Sequence, residues 1–147
     1  MDVRPAAPAD SEVLLDLKED FHRFEGIPWT RDAARGPLSN LLAAPTLGVV
    51  GLCEIGGEAA GYFVLSFGLE REGGGRDAFL AEIYLRPRHR GAGLGRLLLA
   101  EAEAFARARN VHTLRLSVRA ANEPALRLYR SAGYADTGDI ALSKPLR

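Results

Sequence analysis

Three kinds of residue in this chain could do chemistry, and two of them fall in one stretch, Phe79 to Arg96 (FLAEIYLRPRHRGAGLGR). Gly91, Gly93 and Gly95 leave the backbone bare between Arg90 and Arg96. At the start of a helix, such amides lack intrahelical partners and carry the positive end of the macrodipole. Without side chains a ligand can approach them closely, and a pyrophosphate is the natural guest. The spacing fails as a dinucleotide fingerprint, because Arg96 stands where the last glycine belongs and Ser117-Val118-Arg119 stands where the ribose-binding acid would be. No Gly-Lys-Ser/Thr follows, so it is not the phosphate loop of nucleotide hydrolases. The second kind is Glu82, a carboxylate inside an apolar strand, flanked on its own face by Leu80 and Tyr84. A charge there is costly unless paired or wet, and such local rule-breaking is where function tends to sit. Its two readings are a general base and a structural ion pair with an arginine. The third is the pair Asn122 and Tyr129, seven residues apart and so on one helical face. His22 and His89 are weaker proton acceptors, and His89 is expected to face phosphate or solvent.

The elements that must hold these groups follow from periodicity. Asp2 to Arg4 reads as a strand closed by Pro5. Asp10 is expected to cap a helix over Ser11 to Glu25, with Val13, Leu14, Leu17, Phe21 and Phe24 on one face. Asp16, Glu19, Asp20 and Glu25 lie on its other side with His22, either as a solvated face or as an acidic wall for a cationic ligand. After Trp29, Thr30 is expected to cap a second helix that Pro37 breaks into two short pieces. From Leu47 the pattern turns β-like. Leu47 to Ile55 and Ala60 to Phe67 form a hairpin about Gly56-Gly57, Gly73 to Gly75 mark a mobile loop, and Ala78 to Leu85 is the next strand. A helix then runs from about Gly93 to Arg109, burying Leu94, Leu97, Leu98, Ala102 and Phe105. A strand covers Thr113 to Val118. Asn122 caps a last helix that Gly133 ends, and Tyr134 opens a final strand region closing with Ile140 to Lys144. The order predicts one α/β domain across residues 1–147.

Bulk composition excludes several classes. The chain has 147 residues, 47% hydrophobic and 26% charged, with 19 basic and 19 acidic side chains. That is enough for one packed core, and the zero net charge argues against nucleic acid and anionic membrane as partners. No apolar run approaches a membrane span, and no signal-peptide core opens the chain, so the cytoplasm is expected. The one cysteine, Cys53, offers neither a disulfide nor metal-ligand spacing, and no metal is expected.

Arg90-Gly-Ala-Gly93-Leu-Gly95, following Ile83-Tyr84-Leu85-Arg86-Pro87, resembles the Arg/Gln-x-x-Gly-x-Gly/Ala motif of the GNAT superfamily of N-acetyltransferases. Asn122-Glu-Pro-Ala-Leu-Arg-Leu-Tyr129-Arg-Ser-Ala-Gly133-Tyr134 resembles that family's Asn-x-x-Ala-x-x-Leu-Tyr-x-x-x-Gly-Phe/Tyr segment, and Val3-Arg4-Pro5-Ala6 is similar to its opening. The resemblance covers essentially the whole chain. It implies a mixed sheet, with an antiparallel meander followed by parallel, splayed strands at an acetyl-CoA site, flanked by helices.

It also implies roles. Ile83, Tyr84 and Leu85 would pair through their backbone with the pantetheine arm, and an amide near Tyr84 or Leu85 would polarise the thioester carbonyl. Arg90, Gly91, Ala92, Gly93, Leu94, Gly95 and Arg96 would hold the pyrophosphate, and Asn122 would hydrogen-bond the pantetheine. Tyr129 falls at the family's general acid, and Glu82 at an acid that deprotonates the amine in many relatives. The implied reaction is direct attack of a primary amine on acetyl-CoA, a cosubstrate, in a ternary complex. The acceptor pocket is expected between the first two helices, through His22, Glu25 and Trp29, and at the turn from Asp136 to Asp139. Its acids favour a small cationic amine. Alternatives are a protein lysine or N-terminal amine, and a non-catalytic acyl-CoA sensor. Homodimers occur in the family, so a homodimer stays open.

Overall fold

The computed structural model describes residues 1–147, which divide into two compact units, Met1–Ser117 and Val118–Arg147. In the first unit, β1 (Asp2–Pro5), β2 (Gly48–Ile55), β3 (Glu58–Glu70), β4 (Arg76–Leu85) and β5 (Val111–Arg115) form one sheet in sequence order. β1 to β4 are antiparallel neighbours, and β5 joins β4 in parallel. The hairpin between β2 and β3 turns on Gly56 and Gly57, both at positive φ (60° and 81°), as a two-residue turn of right twist requires. A parallel strand needs a crossover, and α3 (Leu94–Arg107) supplies it.

Between β1 and β2 the chain makes α1 (Ser11–Glu25) and α2 (Arg31–Ala43). Gly26 ends α1 in the left-handed region (φ 68°). Asp10 precedes α1 without capping it through its side chain. Its carboxylate instead takes two bonds from Arg4 (2.8 and 2.9 Å) and one from the Ala7 amide (2.7 Å). These charge-assisted bonds outcompete a cap and tie β1 to the start of the helix. The Thr30 hydroxyl does cap α2, accepting from the Ala33 amide at 3.3 Å. Pro37 does not split α2, which runs through it. Gly36 has no Cβ for the proline ring to strike, and burial of Leu38 against the core offsets the lost backbone bond.

Two layers of side chains cover the sheet. Leu14, Leu15, Leu17 and Leu38 pack on Val50, Leu52, Tyr62, Val64 and Tyr84. The alternate residues of β3 face α3, where Phe63 meets Phe105 edge-on at 5.1 Å. In α3 the buried residues are Leu98, Leu99, Ala102 and Ala106, while Leu97 is half-exposed, so the apolar stripe is rotated from the one expected.

The second unit contains α4 (Glu123–Ser131), which Asn122 caps as expected by accepting from the Ala125 amide at 3.3 Å. β5 is shorter and earlier than Thr113 to Val118, because its pairing with β4 ends at Arg115. No strand forms from Tyr134 to Lys144. That segment has apolar alternation but no ladder partner, and Ile140 and Leu142 are 85% and 91% exposed.

Gly61 sits where β3 passes closest to β4. A Cβ there would lie 2.2 Å from the Tyr84 carbonyl oxygen, a backbone atom that cannot rotate away. Gly61→Ala is expected to cost about 2 kcal/mol and lower Tm by roughly 4–8 °C, read by thermal unfolding. An unchanged Tm would mean the two strands separate freely at this point.

Candidate active site

β4 positions most of the site through an irregularity. Val64 pairs with Glu82, and the next residue, Leu65, pairs with Leu80, so Ala81 is an extra residue, a β-bulge. Directly paired residues share a face, so Leu80 goes with Leu65 toward α3, and Glu82 goes with Val64 toward α1 and α2. The expectation that Leu80 and Glu82 share a face is therefore corrected, because the bulge shifts the alternation by one.

On that face, Glu82 accepts from Lys18 Nζ through both oxygens (2.6 and 2.7 Å) and from the Tyr62 hydroxyl (3.1 Å). The partner is a lysine of α1 rather than an arginine. The Lys18 and Glu82 side chains are only 14% and 15% exposed, which makes the pair sensitive to loss of either member. Burial first, then the Glu82 charge, push the Tyr62 hydroxyl far above the ordinary phenol range, so it stays a donor. His22 lies one turn beyond Lys18. Its Nδ1 is 2.7 Å from the Lys18 carbonyl, which can only accept, so Nδ1 carries the proton. In the neutral ring, Nε2 then keeps its lone pair, 3.9 Å from a Glu82 oxygen. Trp29 stacks on His22 (5.8 Å between ring centres), and Phe21 meets it edge-on.

These groups line a cleft of about 480 Å³ in the first unit. Lys18, His22 and Glu82 are its ionisable residues, and Pro28, Trp29, Ala33, Ala34, Pro37, Leu38 and Leu41 make an apolar wall along α2. Of the acceptor residues expected from the sequence, His22 and Trp29 line it and Glu25 does not. Three of the acids expected as a wall on α1, Asp16, Glu19 and Asp20, lie against arginines. Glu12 and Asp16 bind Arg31, Glu12 also binds Arg35, and Asp20 lies 3.5 Å from Arg23 and 4.0 Å from Arg86.

The edge of β4 is the second feature. β5 stays paired only as far as Phe79 opposite Arg115, so the rest of β4 has no partner on that side. Arg86 donates to the Ala60 carbonyl at 2.8 Å, and antiparallel alternation then turns the amides of Ile83 and Leu85 to the open edge. The Tyr84 amide faces β3, which removes it from the expected carbonyl donors. Beyond β4, Gly91 and Gly93 sit at φ 85° and 76°, which other residues adopt only under strain. The first α3 bond runs from Leu97 to Gly93 at 3.3 Å, so the amides from Gly91 to Gly95 find no helix carbonyl. Arg90 behaves differently from the expectation of a free charge. Its Nε donates to the Leu85 carbonyl (2.8 Å), and its guanidinium lies over Phe24 (4.5 Å) and Tyr84 (5.3 Å). Its amide is held by Pro87. Arg90 thus fixes the end of β4 against the loop. His89 accepts from Arg88 at 3.1 Å. In the second unit, Asn122 spends Oδ1 on the α4 cap, which leaves its NH2 as donor, and Tyr129 packs edge-on against Tyr134 at 6.0 Å.

Lys18 and Tyr62, the partners of Glu82, are candidate site residues that sequence reasoning missed. Lys18 had a signal: it stands four residues from Leu14 and from His22, inside the apolar stripe of α1.

A splayed strand edge, a glycine loop opening a helix and an acid carried to the opposite face of the same strand define an acyl-CoA-dependent transferase. Residues 14–134 match the Acetyltransferase (GNAT) family, and the chain belongs to it. The family's chemistry is acetyl transfer from acetyl-CoA to an amine. Among relatives, streptothricin acetyltransferase of Streptomyces lavendulae is 37% identical over 87 residues, which are 58% of this chain and 44% of that protein. The match thus spans less than half of that enzyme. A Bacillus subtilis (strain 168) protein, whose name proposes ribosomal-protein-bS18 alanine N-acetylation, is 30% identical over 125 residues, 78% of this chain and 76% of that one. An integron cassette protein from the mobile metagenome of Cole Harbour Salt Marsh has a TM-score of 0.85 at 31% identity, over 99% of this chain and 90% of its own. No helix is long and apolar enough to cross a membrane.

Two outcomes follow from the Glu82 cluster. Lys18→Met leaves the carboxylate half-compensated and is expected to cost about 1–3 kcal/mol in urea unfolding, with Lys18→Met/Glu82→Leu recovering most of it. Equal losses in the single and double variants would mean the pair carries no weight. Tyr62 keeps its proton longer in the folded state than in the unfolded chain. Its contribution to stability is therefore full below about pH 10 and is lost as pH rises beyond it. Tyr62→Phe should flatten that alkaline decline, and an identical decline would assign it to other groups.

Proposed function

We propose that this protein transfers an acetyl group from acetyl-CoA to the primary amine of a small molecule, by direct attack in a ternary complex. The observation that carries the reading is the double use of β4. On one face it delivers Glu82 to the cleft, and at its edge it aims the Ile83 and Leu85 amides where β5 has left. The amine would enter the cleft and the thioester would lie along the edge. An alkylammonium has a pKa near about 10, so a base is needed at neutral pH, and Glu82 takes the proton with His22 Nε2 beside it. The Leu85 amide, with its carbonyl fixed by Arg90, would donate to the oxygen on which charge develops. Amides from Gly91 to Gly95, with Arg96, would hold the pyrophosphate. Tyr129 would protonate the departing thiolate, and Asn122 would bond the pantetheine through its NH2. Cys53 takes no part. It is fully buried in β2, and burial pushes its thiol up, away from a reactive thiolate.

The streptothricin enzyme favours a small-molecule acceptor. The Bacillus relative favours a second reading, acetylation of a protein N-terminal amine. Release of CoA thiol from acetyl-CoA with a panel of amines tests the proposal. Tyr129→Phe is expected to lower kcat by about 10²–10⁴ while CoA still binds. CoA binding without turnover on any amine or peptide would instead make the domain a sensor.

A further inference from the structure

The cleft carries one cation and one anion in contact at its floor and little else that is charged. Lys18 and Glu82 touch at 2.6 Å, and His22 beside them turns its Nδ1 to the Lys18 carbonyl. The surrounding wall is Trp29 and the apolar face of α2. A polycation gains little from such a floor, because the Lys18 and Glu82 charges sum to zero and Glu12 and Asp16 of α1 are spent on arginines. A simple amine uses only half of it. A molecule whose ammonium and carboxylate are neighbours uses both halves: its dipole lies antiparallel to the Lys18–Glu82 pair, so each charge meets an opposite one and the pair need not open. The apolar wall then takes the third substituent.

We infer that the acceptor is a free α-amino acid with an apolar side chain, its carboxylate on Lys18, its ammonium on Glu82, and its side chain against Trp29, Pro37, Leu38 and Leu41. This rests on the acetyl-transfer reading for its chemistry, but not for its binding. In the reaction the ammonium loses one proton to the Glu82–His22 pair and the amine attacks the thioester carbonyl; as the C–S bond breaks, the thiolate takes a proton from Tyr129, and the second proton released by the nitrogen restores the Tyr129 hydroxyl. The product keeps its carboxylate and loses its positive charge. It no longer matches Glu82 and is released. Lys18 acts here as the specificity determinant.

The test compares L-leucine with isoamylamine, which lacks the carboxylate, with L-leucinamide, which mimics a peptide N-terminus, and with spermidine. Binding is read first without acetyl-CoA, by ligand-observed NMR on the whole chain. L-leucine is expected to bind at least about thirtyfold more tightly than the other three, since each leaves Lys18 without its new partner. Lys18→Gln should abolish that preference, and Lys18→Arg should restore much of it. Equal binding of leucine and isoamylamine, or a preference for spermidine or leucinamide, overturns the inference, and this comparison needs no variant to fold. Turnover with acetyl-CoA is measured separately on the same panel. Leucine binding without thiol release would leave the cleft assignment standing and sink the transferase reading. Release with isoamylamine as good as with leucine would do the reverse.

Discussion

A carboxylate on a sheet strand covered by helices needs a compensating charge, and Lys18 provides it. Most of the first unit serves that contact. Leu14, Leu15 and Leu17 seat α1 on the sheet, and Lys18 rises from the same apolar stripe to meet Glu82. Tyr62 donates from β3 to Oε2, the oxygen that Lys18 also holds, so Oε1 keeps a free lone pair. The arrangement costs desolvation of two charges and returns a fixed geometry, since neither side chain can turn away without stranding the other.

β4 is the element in which positions become functions. Its bulge at Ala81 lets residues of one parity serve both faces, Leu80 toward α3 and Glu82 toward α1 and α2. Just beyond, β5 parts from it, and an edge with ordered donors appears. An exposed edge of this kind invites a partner. Arg90 keeps the end of that edge in place through the Leu85 carbonyl and the rings of Phe24 and Tyr84.

The electrostatics of the cleft differ from those of the helix surface that borders it. α1 carries many acids, but arginines from α1 itself and from α2 take Glu12, Asp16 and Asp20. The charges that reach the cleft are Lys18 and Glu82, and they cancel. Charge at the cleft floor is therefore arranged as a contact pair rather than as an excess of either sign.

Much of this protein was legible in the sequence. Periodicity set α1 at Ser11–Glu25, the hairpin turn at Gly56-Gly57, and the antiparallel meander, because these depend on local backbone preference and on alternation. The glycine spacing marked the loop, since positive φ at Gly91 and Gly93 is a local demand. Local rules failed where distant residues competed: Asp10 chose Arg4 over a helix cap, packing carried α2 through Pro37, and no strand formed around Ile140 for want of a ladder partner. The face of Glu82 and the identity of its partner were beyond sequence reasoning for the same reason. A bulge exists only relative to the neighbouring strand, and Lys18 lies 64 residues from Glu82. The sequence by itself determined which residues could react, because that is a property of side-chain chemistry. Tertiary structure alone decided which of them meet, because contact between α1 and β4 is set by packing of the core between them.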